Sequence, residues 1–220
     1  GGPMKAMILA AGRGERMLPL TAQTPKPLLM VQGKPLIVHH ILSLVRAGVT
    51  DIVINIWYLG AQIQNLLGDG AQFGVRIYYS VETQLLDTGG GIARCLPQLS
   101  PDPFIVLSAD IFTNFSLATL PQQPQGLAHL VMVDNPEYLS QGDFLLDKGR
   151  ISLTGDGNKY TYANIAVLRP EFFVNASQGP FPLRDLFFKH IAAGKVTGQY
   201  FNDVWYNVGT PADLELVNQS

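Results

Sequence analysis

Two cations, Arg16 and Lys26, sit in surroundings that give them chemistry to do. Residues Leu9 to Leu28 read L-A-A-G-R-G-E-R-M-L-P-L-T-A-Q-T-P-K-P-L. An apolar run, Met7-Ile8-Leu9-Ala10, leads into a turn that carries Gly12 and Gly14. Glycines leave backbone amides uncovered, so such a turn can face an anion. Arg16 follows, and its planar fork suits phosphate oxygens. Lys26 supplies a point charge, and Pro25 and Pro27 stiffen the backbone on either side of it. Chemistry on a nucleotide phosphate is what this combination suits.

Common alternatives fail on spacing. Gly12-x-Gly14-x-x-Met17 lacks the third glycine of the dinucleotide fingerprint, and the second predicted strand ends at Ile56-Trp57 without an acidic ribose ligand. Gly33-Lys34-Pro35 breaks the P-loop pattern, and no G-x-S-x-G elbow is present. A single cysteine, Cys95, excludes an internal disulfide and reads as a small buried residue. The four histidines lack metal spacing; His39 and His40 read as surface or core residues on different faces of one helix.

The elements that must position these groups alternate. Lys5–Ala10, Asp51–Ile56, Val75–Ser80 and Phe104–Ser108 read as strands. A helix runs from Pro35 toward Gly48, another spans Ala61–Leu67, and a third is expected over Gly90–Leu96, stopped by Pro97. Such alternation predicts an α/β fold with parallel strands, whose ligands lie beyond the strands' carboxyl ends. Leu9–Arg16, Glu82–Gly90 and Ser108–Asp110 should therefore share one sheet edge. Farther on, Leu127–Val133 and Tyr160–Leu168 read as strands and Leu183–Ala193 as a helix. Lys148-Gly149 joins a hairpin, and Thr210-Pro211 opens a last helix.

The chain has 220 residues, 47% of them hydrophobic, enough for one sizeable core. One domain over 4–220 is expected, in two halves, 4–125 and 126–220. Gly1-Gly2-Pro3 reads as a cloning scar. A net charge of −2 without a basic block argues against a nucleic-acid partner. No apolar run of membrane length and no signal peptide is visible, so no membrane partner and a cytoplasmic location are expected.

Leu9–Pro27 resembles, position by position, the signature of the sugar-1-phosphate nucleotidylyltransferases, L-A-A-G-x-G-x-R-[ML]-x-P-L-T-x-x-x-P-K-P. Three further segments are similar to motifs of that family. Glu82–Gly90 resembles its nucleobase segment, E-x-x-x-L-G-T-[AG]-G. Ser108-Ala109-Asp110 resembles its strand-end metal aspartate, and Trp205–Pro211 its closing W-x-D-V-G-T-P. The resemblance implies a three-layer α/β/α sandwich with a Rossmann-like, mixed, mostly parallel sheet, in which 4–125 is the nucleotide-binding half and 126–220 the sugar-binding half. It also implies a reaction in which an NTP and a sugar 1-phosphate give an NDP-sugar and pyrophosphate. UTP is the favoured donor and Mg²⁺ the expected cofactor, in a monomer or small homo-oligomer. Competing readings are a mannose-1-phosphate enzyme using GTP, a glucose-1-phosphate enzyme using UTP or dTTP, and a non-catalytic nucleotide-sensing domain.

The resemblance also implies residue roles. Ala10, Ala11, Gly12 and Gly14 would hold the nucleotide by backbone, with Arg13 beside them. Arg16 would take the departing phosphates and Lys26 the α-phosphate. Glu82, Asp87, Thr88, Gly89 and Gly90 would meet the base, Asp87 standing where the family usually has glycine. Asp110 would bind the metal together with Asn207, which replaces the family's second aspartate; Asp203 is a nearby candidate to compensate. Ala109, Gly142, Asp143, Asn158, Lys159 and Asn164 are the candidates for the sugar phosphate.

Overall fold

The computed structural model describes residues 2–220; Gly1, part of the expected scar, lies outside the described residues. Along the chain run β1 (Ala6–Leu9), β2 (Met30–Val31), β3 (Lys34–Pro35), α1 (Leu36–Arg46), β4 (Asp51–Ile56), α2 (Gly60–Leu67) and β5 (Arg76–Val81). There follow α3 (Asp87–Arg94), α4 (Leu96–Leu99), β6 (Phe104–Ser108), β7 (Ile111–Thr113), β8 (Ala128–Val133), β9 (Phe144–Asp147) and β10 (Arg150–Ser152). The last are β11 (Lys159–Leu168), α5 (Leu183–Ala192), β12 (Val196–Tyr200), β13 (Trp205–Asn207) and α6 (Pro211–Gln219).

These elements form two compact units. The first takes residues up to Leu85, then Ser108–Thr119 and Val204–Ser220; the second takes Leu86–Leu107 and Leu120–Asp203. In the first, β5, β4 and β1 pair in parallel, with Ile52 opposite both Ala6 and Ile77. Five residues of D-I-V-I-N-I are buried, as a central parallel strand requires. Helix α1 buries Leu36, Ile37, His40, Ile41 and Leu44, one stripe at helical spacing, and Gly48 follows its end at φ 86°. A short β7–β13 ladder and α6 complete this unit; Met17, Leu36, Val208 and Val217, all 0% exposed, share one apolar cluster.

The second unit has a mixed sheet. β11 runs antiparallel to β6 and β8, β12 parallel to β8, and β10 antiparallel to β12 and β9. The expected hairpin turns at Lys148 (φ 49°) and Gly149 (φ 80°), the pair of left-handed residues that a tight turn between twisted strands favours. Asn164 (φ 61°) sits in a register shift between Tyr162 and Ala166, so β11 bulges there.

The helix expected over Gly90–Leu96 is different. It starts at Asp87 and ends at Arg94, and Pro97 lies in the first turn of α4 instead of stopping a helix. A proline costs nothing there, because a first-turn amide has no intrahelical partner. Three glycines in α3 are tolerated because Gly89 and Gly90 donate to the Phe181 carbonyl at 2.9 and 3.1 Å. A Cβ on Gly89 would come 2.2 Å from the Phe181 ring.

His40 makes the first unit sensitive to acid. Its ring is 5% exposed and its Nε2 has no hydrogen-bond partner. Burial pushes its pKa down to about 4, against the Ala109 and Ile111 backbone, which favours the charged ring. The unfolded chain binds this proton near pH 6.5 and the folded chain does not. The contribution of His40 to stability should therefore be full above pH 6.5 and be lost as the pH drops from there toward 4, by ~3 kcal/mol in all. Urea unfolding between pH 8 and 4.5 should show this slope, and His40→Gln should flatten it.

Candidate active site

The tips of the first unit's strands are tied together. Ala109 N donates to Leu9 O at 2.9 Å, Ala10 N to Asn55 Oδ1 at 2.9 Å, and Glu82 N to Ile56 O at 2.9 Å. Asn55 Nδ2 donates to Glu82 Oε2 at 2.9 Å. Three segments distant in sequence thus meet where strand alternation places them. Ala10 and Ala11 are buried, and the Ala10 amide faces Asn55, so it is not a donor to phosphate. Ala109 is also buried, and its amide is taken by Leu9.

The two turn glycines have different reasons. Gly14 has φ 73°, and a Cβ there would lie 3.1 Å from Thr21 Cγ2, so the fold itself demands glycine. A Cβ on Gly12 would meet nothing within 4 Å. Nothing in the protein excludes a side chain there; an approaching ligand would.

Beside this turn lies a cavity of about 440 Å³ lined by Arg13, Gly14, Glu15, Arg16, Lys26, Trp57, Leu85 and Gly209. Pro25, extended at φ −65°, delivers Lys26 into a short 3-10 turn. Lys26 Nζ stands 3.3 Å from Asp110 Oδ1; its side chain is 11% exposed, that of Asp110 48%. Arg16 is exposed, and among the described residues no carboxylate pairs with it. Arg13 pairs loosely with Glu15 at 3.8 Å and lies over the Trp57 ring at 5.0 Å. Three cations therefore border one cavity, and only Lys26 is closely matched.

Asp110 immediately precedes β7, and Asn207 ends its partner strand β13. Asn207 stands opposite Ile111, and Val208 N donates to Asp110 O at 2.7 Å. Thr210 and Asp213 form a reciprocal cap at the start of α6, and Asp213 Oδ2 also accepts from Gly209 N at 3.0 Å. A Cβ on Gly209 would stand 2.9 Å from Arg16 Nη2 and 3.1 Å from Asn207 Nδ2, so glycine lets these two side chains sit close. Among the described residues no cluster of three or more His, Cys, Asp or Glu could hold a metal. One carboxylate and one amide oxygen beside a cationic cavity still fit Mg²⁺, which takes few protein ligands and completes its shell with phosphates and water. Asp203 is exposed and belongs to the second unit.

In the second unit Asp87 is exposed at φ 61°, the left-handed region where its family's glycine is at ease. Its Oδ1 accepts from the amide of the next residue, Thr88. Thr88 Oγ1 accepts from Leu183 N at 2.8 Å, and the buried Gly89 and Gly90 lie against the Phe181 ring and the Gly179 carbonyl respectively. These contacts give Thr88, Gly89 and Gly90 a packing role within their own unit.

Asp134, Asn135, Asn158, Lys159 and Tyr160 help line a second cavity of about 620 Å³. Asn158 and Lys159 are exposed in it. Gly142 (φ 72°) abuts it: a Cβ there would lie 2.7 Å from Asn135 Oδ1 and 3.0 Å from Lys159 Cβ. Asp143 is turned inward. Its side chain is 8% exposed, Oδ1 meets Arg184 Nη1 at 2.7 Å and Oδ2 accepts from Tyr162 N at 2.8 Å. Asn164 is half-buried at the bulge of β11.

Asn55, Trp57 and Leu85 do not stand out as site residues in the sequence, and Gly209 falls within the closing motif without a role of its own. Of the first three, Asn55 alone carries a signal, an amide inside an apolar strand.

Residues 5–136 match the nucleotidyl transferase family. The chain is 43% identical over 221 residues to N-acetylmuramate alpha-1-phosphate uridylyltransferase of Neisseria meningitidis serogroup B, covering 96% of each chain. It is 31% identical to a probable mannose-1-phosphate guanylyltransferase of Oryza sativa subsp. japonica, over 96% of this chain and 62% of that one. Its fold is shared with a Bacillus anthracis protein assigned as a glucose-1-phosphate thymidylyltransferase. That TM-score is 0.87 at 23% identity, covering 98% of this chain and 94% of the other.

Proposed function

From the premise that this chain belongs to the nucleotidyl transferase family, we propose that it transfers UMP from UTP to N-acetylmuramic acid 1-phosphate. The products are UDP-N-acetylmuramic acid and pyrophosphate. N-acetylmuramic acid is a bacterial cell-wall sugar, so the reaction would serve cell-wall recycling. One observation carries the reading: Arg16, Lys26 and the glycine turn border one cavity, with Asp110 at 3.3 Å from Lys26.

The nucleophile needs little activation. A sugar phosphate has a second pKa near ~6 and is mostly dianionic at neutral pH. Its oxygen forms a bond to the α-phosphorus of UTP as the bond to the bridging β-oxygen breaks, and the electron pair leaves with pyrophosphate. The obstacle is charge: like charges at ~4 Å repel by about 1 kcal/mol per pair even in water, and more strongly in a cleft. Positioning and neutralisation are therefore the catalysis. Lys26 offsets charge at the α-phosphate. Arg16, unpaired and exposed, takes the leaving pyrophosphate, with Arg13 as a second cation. Gly12 leaves room for the phosphates. Asp110 and Asn207 would hold Mg²⁺, which when bound screens the triphosphate charge. Asn158 and Lys159 are the second unit's candidates for the sugar phosphate.

Pyrophosphate release should be measured with Mg²⁺, five NTPs in turn and a panel of sugar 1-phosphates. UTP with N-acetylmuramic acid 1-phosphate should dominate. Faster turnover of GTP with mannose 1-phosphate would overturn the substrate assignment, and silence with every pair would overturn the reaction.

A further inference from the structure

We propose that Asn55 and Glu82 are a positioning pair that presets the nucleotide turn, a role that rests on the nucleotide reading of that turn. Asn55 is the one polar residue inside β4's apolar run, opposite Leu9 on β1 and Ser80 on β5. It is 3% exposed, and Glu82 is 3% exposed. A strand centre is a costly place for an amide unless its hydrogen bonds are met.

Here they are met by groups that leave no choice of orientation. The carboxylate of Glu82 accepts only, so the Asn55 NH₂ must face it, at 2.9 Å. The Ala10 N–H donates only, so the Asn55 carbonyl must face it, also at 2.9 Å. One side chain thus bridges the ends of three adjacent strands. The bond to Ala10 fixes where β1 ends and the turn begins, immediately before Ala11 and the open Gly12. The Ala10 amide is held by Asn55 and not by Glu82, which acts by orienting Asn55. Its burial places it as a support for the turn in addition to the base contact that the family resemblance implies.

The test reads backbone amide exchange at Ala10, together with UTP affinity measured without the second substrate. Asn55→Ala should speed Ala10 exchange about 10- to 100-fold, the range expected when a buried donor loses its acceptor. It should weaken UTP about tenfold and leave the KM for sugar 1-phosphate unmoved. Glu82→Ala should also expose Ala10, although the Ala10 amide bonds Asn55 and not Glu82. Glu82→Gln keeps an acceptor for Asn55 and should keep Ala10 protected; this pair carries the comparison if Asn55→Ala does not fold. Unchanged Ala10 exchange in the alanine variants would overturn the pairing. So would equal losses for both substrates accompanying a general drop in melting temperature. A wild-type protein that fails to bind UTP would count against the nucleotide reading alone, since loss of Ala10 protection would still establish the pair.

Discussion

Lys26→Ala lowers kcat/KM about 100- to 1,000-fold while the protein stays folded. The large loss follows from where the ammonium sits. Pro25 and Pro27 brace it, its side chain is 11% exposed, and it stands 3.3 Å from Asp110. A preorganised charge in a water-poor site acts on the transition state without first reorganising. Removing it leaves two anions to meet with one cation fewer. The small stability effect follows from the partner: the Asp110 side chain is 48% exposed, so water solvates it once the lysine is gone. Steady-state kinetics beside a thermal melt checks both halves. A melting temperature that falls with activity would mean that Lys26 is structural.

Asp110→Asn should cost as much, about 100-fold or more, and should raise the Mg²⁺ needed for half-maximal rate. With that change the protein would offer a divalent cation only neutral amides, the substituted side chain and Asn207. The reverse change, Asn207→Asp, should lower the half-maximal Mg²⁺ about tenfold, since one added charge at contact distance in a partly exposed site is worth ~1–4 kcal/mol. It should also reduce kcat. Asn207 and Arg16 flank the same point near Gly209, at 3.1 and 2.9 Å, so a new carboxylate competes with pyrophosphate for the guanidinium. A Mg²⁺ titration of initial rates separates the effects. Unchanged Mg²⁺ dependence in both variants would remove these residues from the metal site.

Much of this site is legible in the sequence because its chemistry is local. The turn, Arg16 and Lys26 fall within one short segment, and Asp110 ends an apolar strand. The residues that brace the turn are harder to read. Asn55 and Glu82 are separated by 27 positions and meet only because β4 and β5 pair in parallel. The two glycines of the turn look alike as letters, yet Gly14 answers to φ and to Thr21, while Gly12 answers to neither. The sequence misplaces the start of α3 because the run of glycines from Gly89 argues against helix locally. The Phe181 carbonyl and ring, far along the chain, override them. β7, β12 and β13 do not show as strands in the sequence; β7 and β13, each 3 residues long, are too short for any period to emerge. Within the sugar segment, Asp143 reads as a ligand because it is polar and follows a glycine. Its two oxygens are engaged by Arg184 and Tyr162, partners that spacing does not reveal.

The ladder that sets Asn207 beside Asp110 also has a consequence for synthesis. A ribosome makes the glycine turn, Lys26 and Asp110 early, then the longer stretch of the second unit, Leu120–Asp203, and only afterwards Trp205–Asn207 and Gly209. Until that strand emerges, β7 lacks its partner, and Val208 is missing from the cluster with Met17 and Leu36. A nascent or stalled chain can therefore carry Arg16 and Lys26 in place and still lack Asn207, the partner that the β7–β13 ladder brings up beside Ile111.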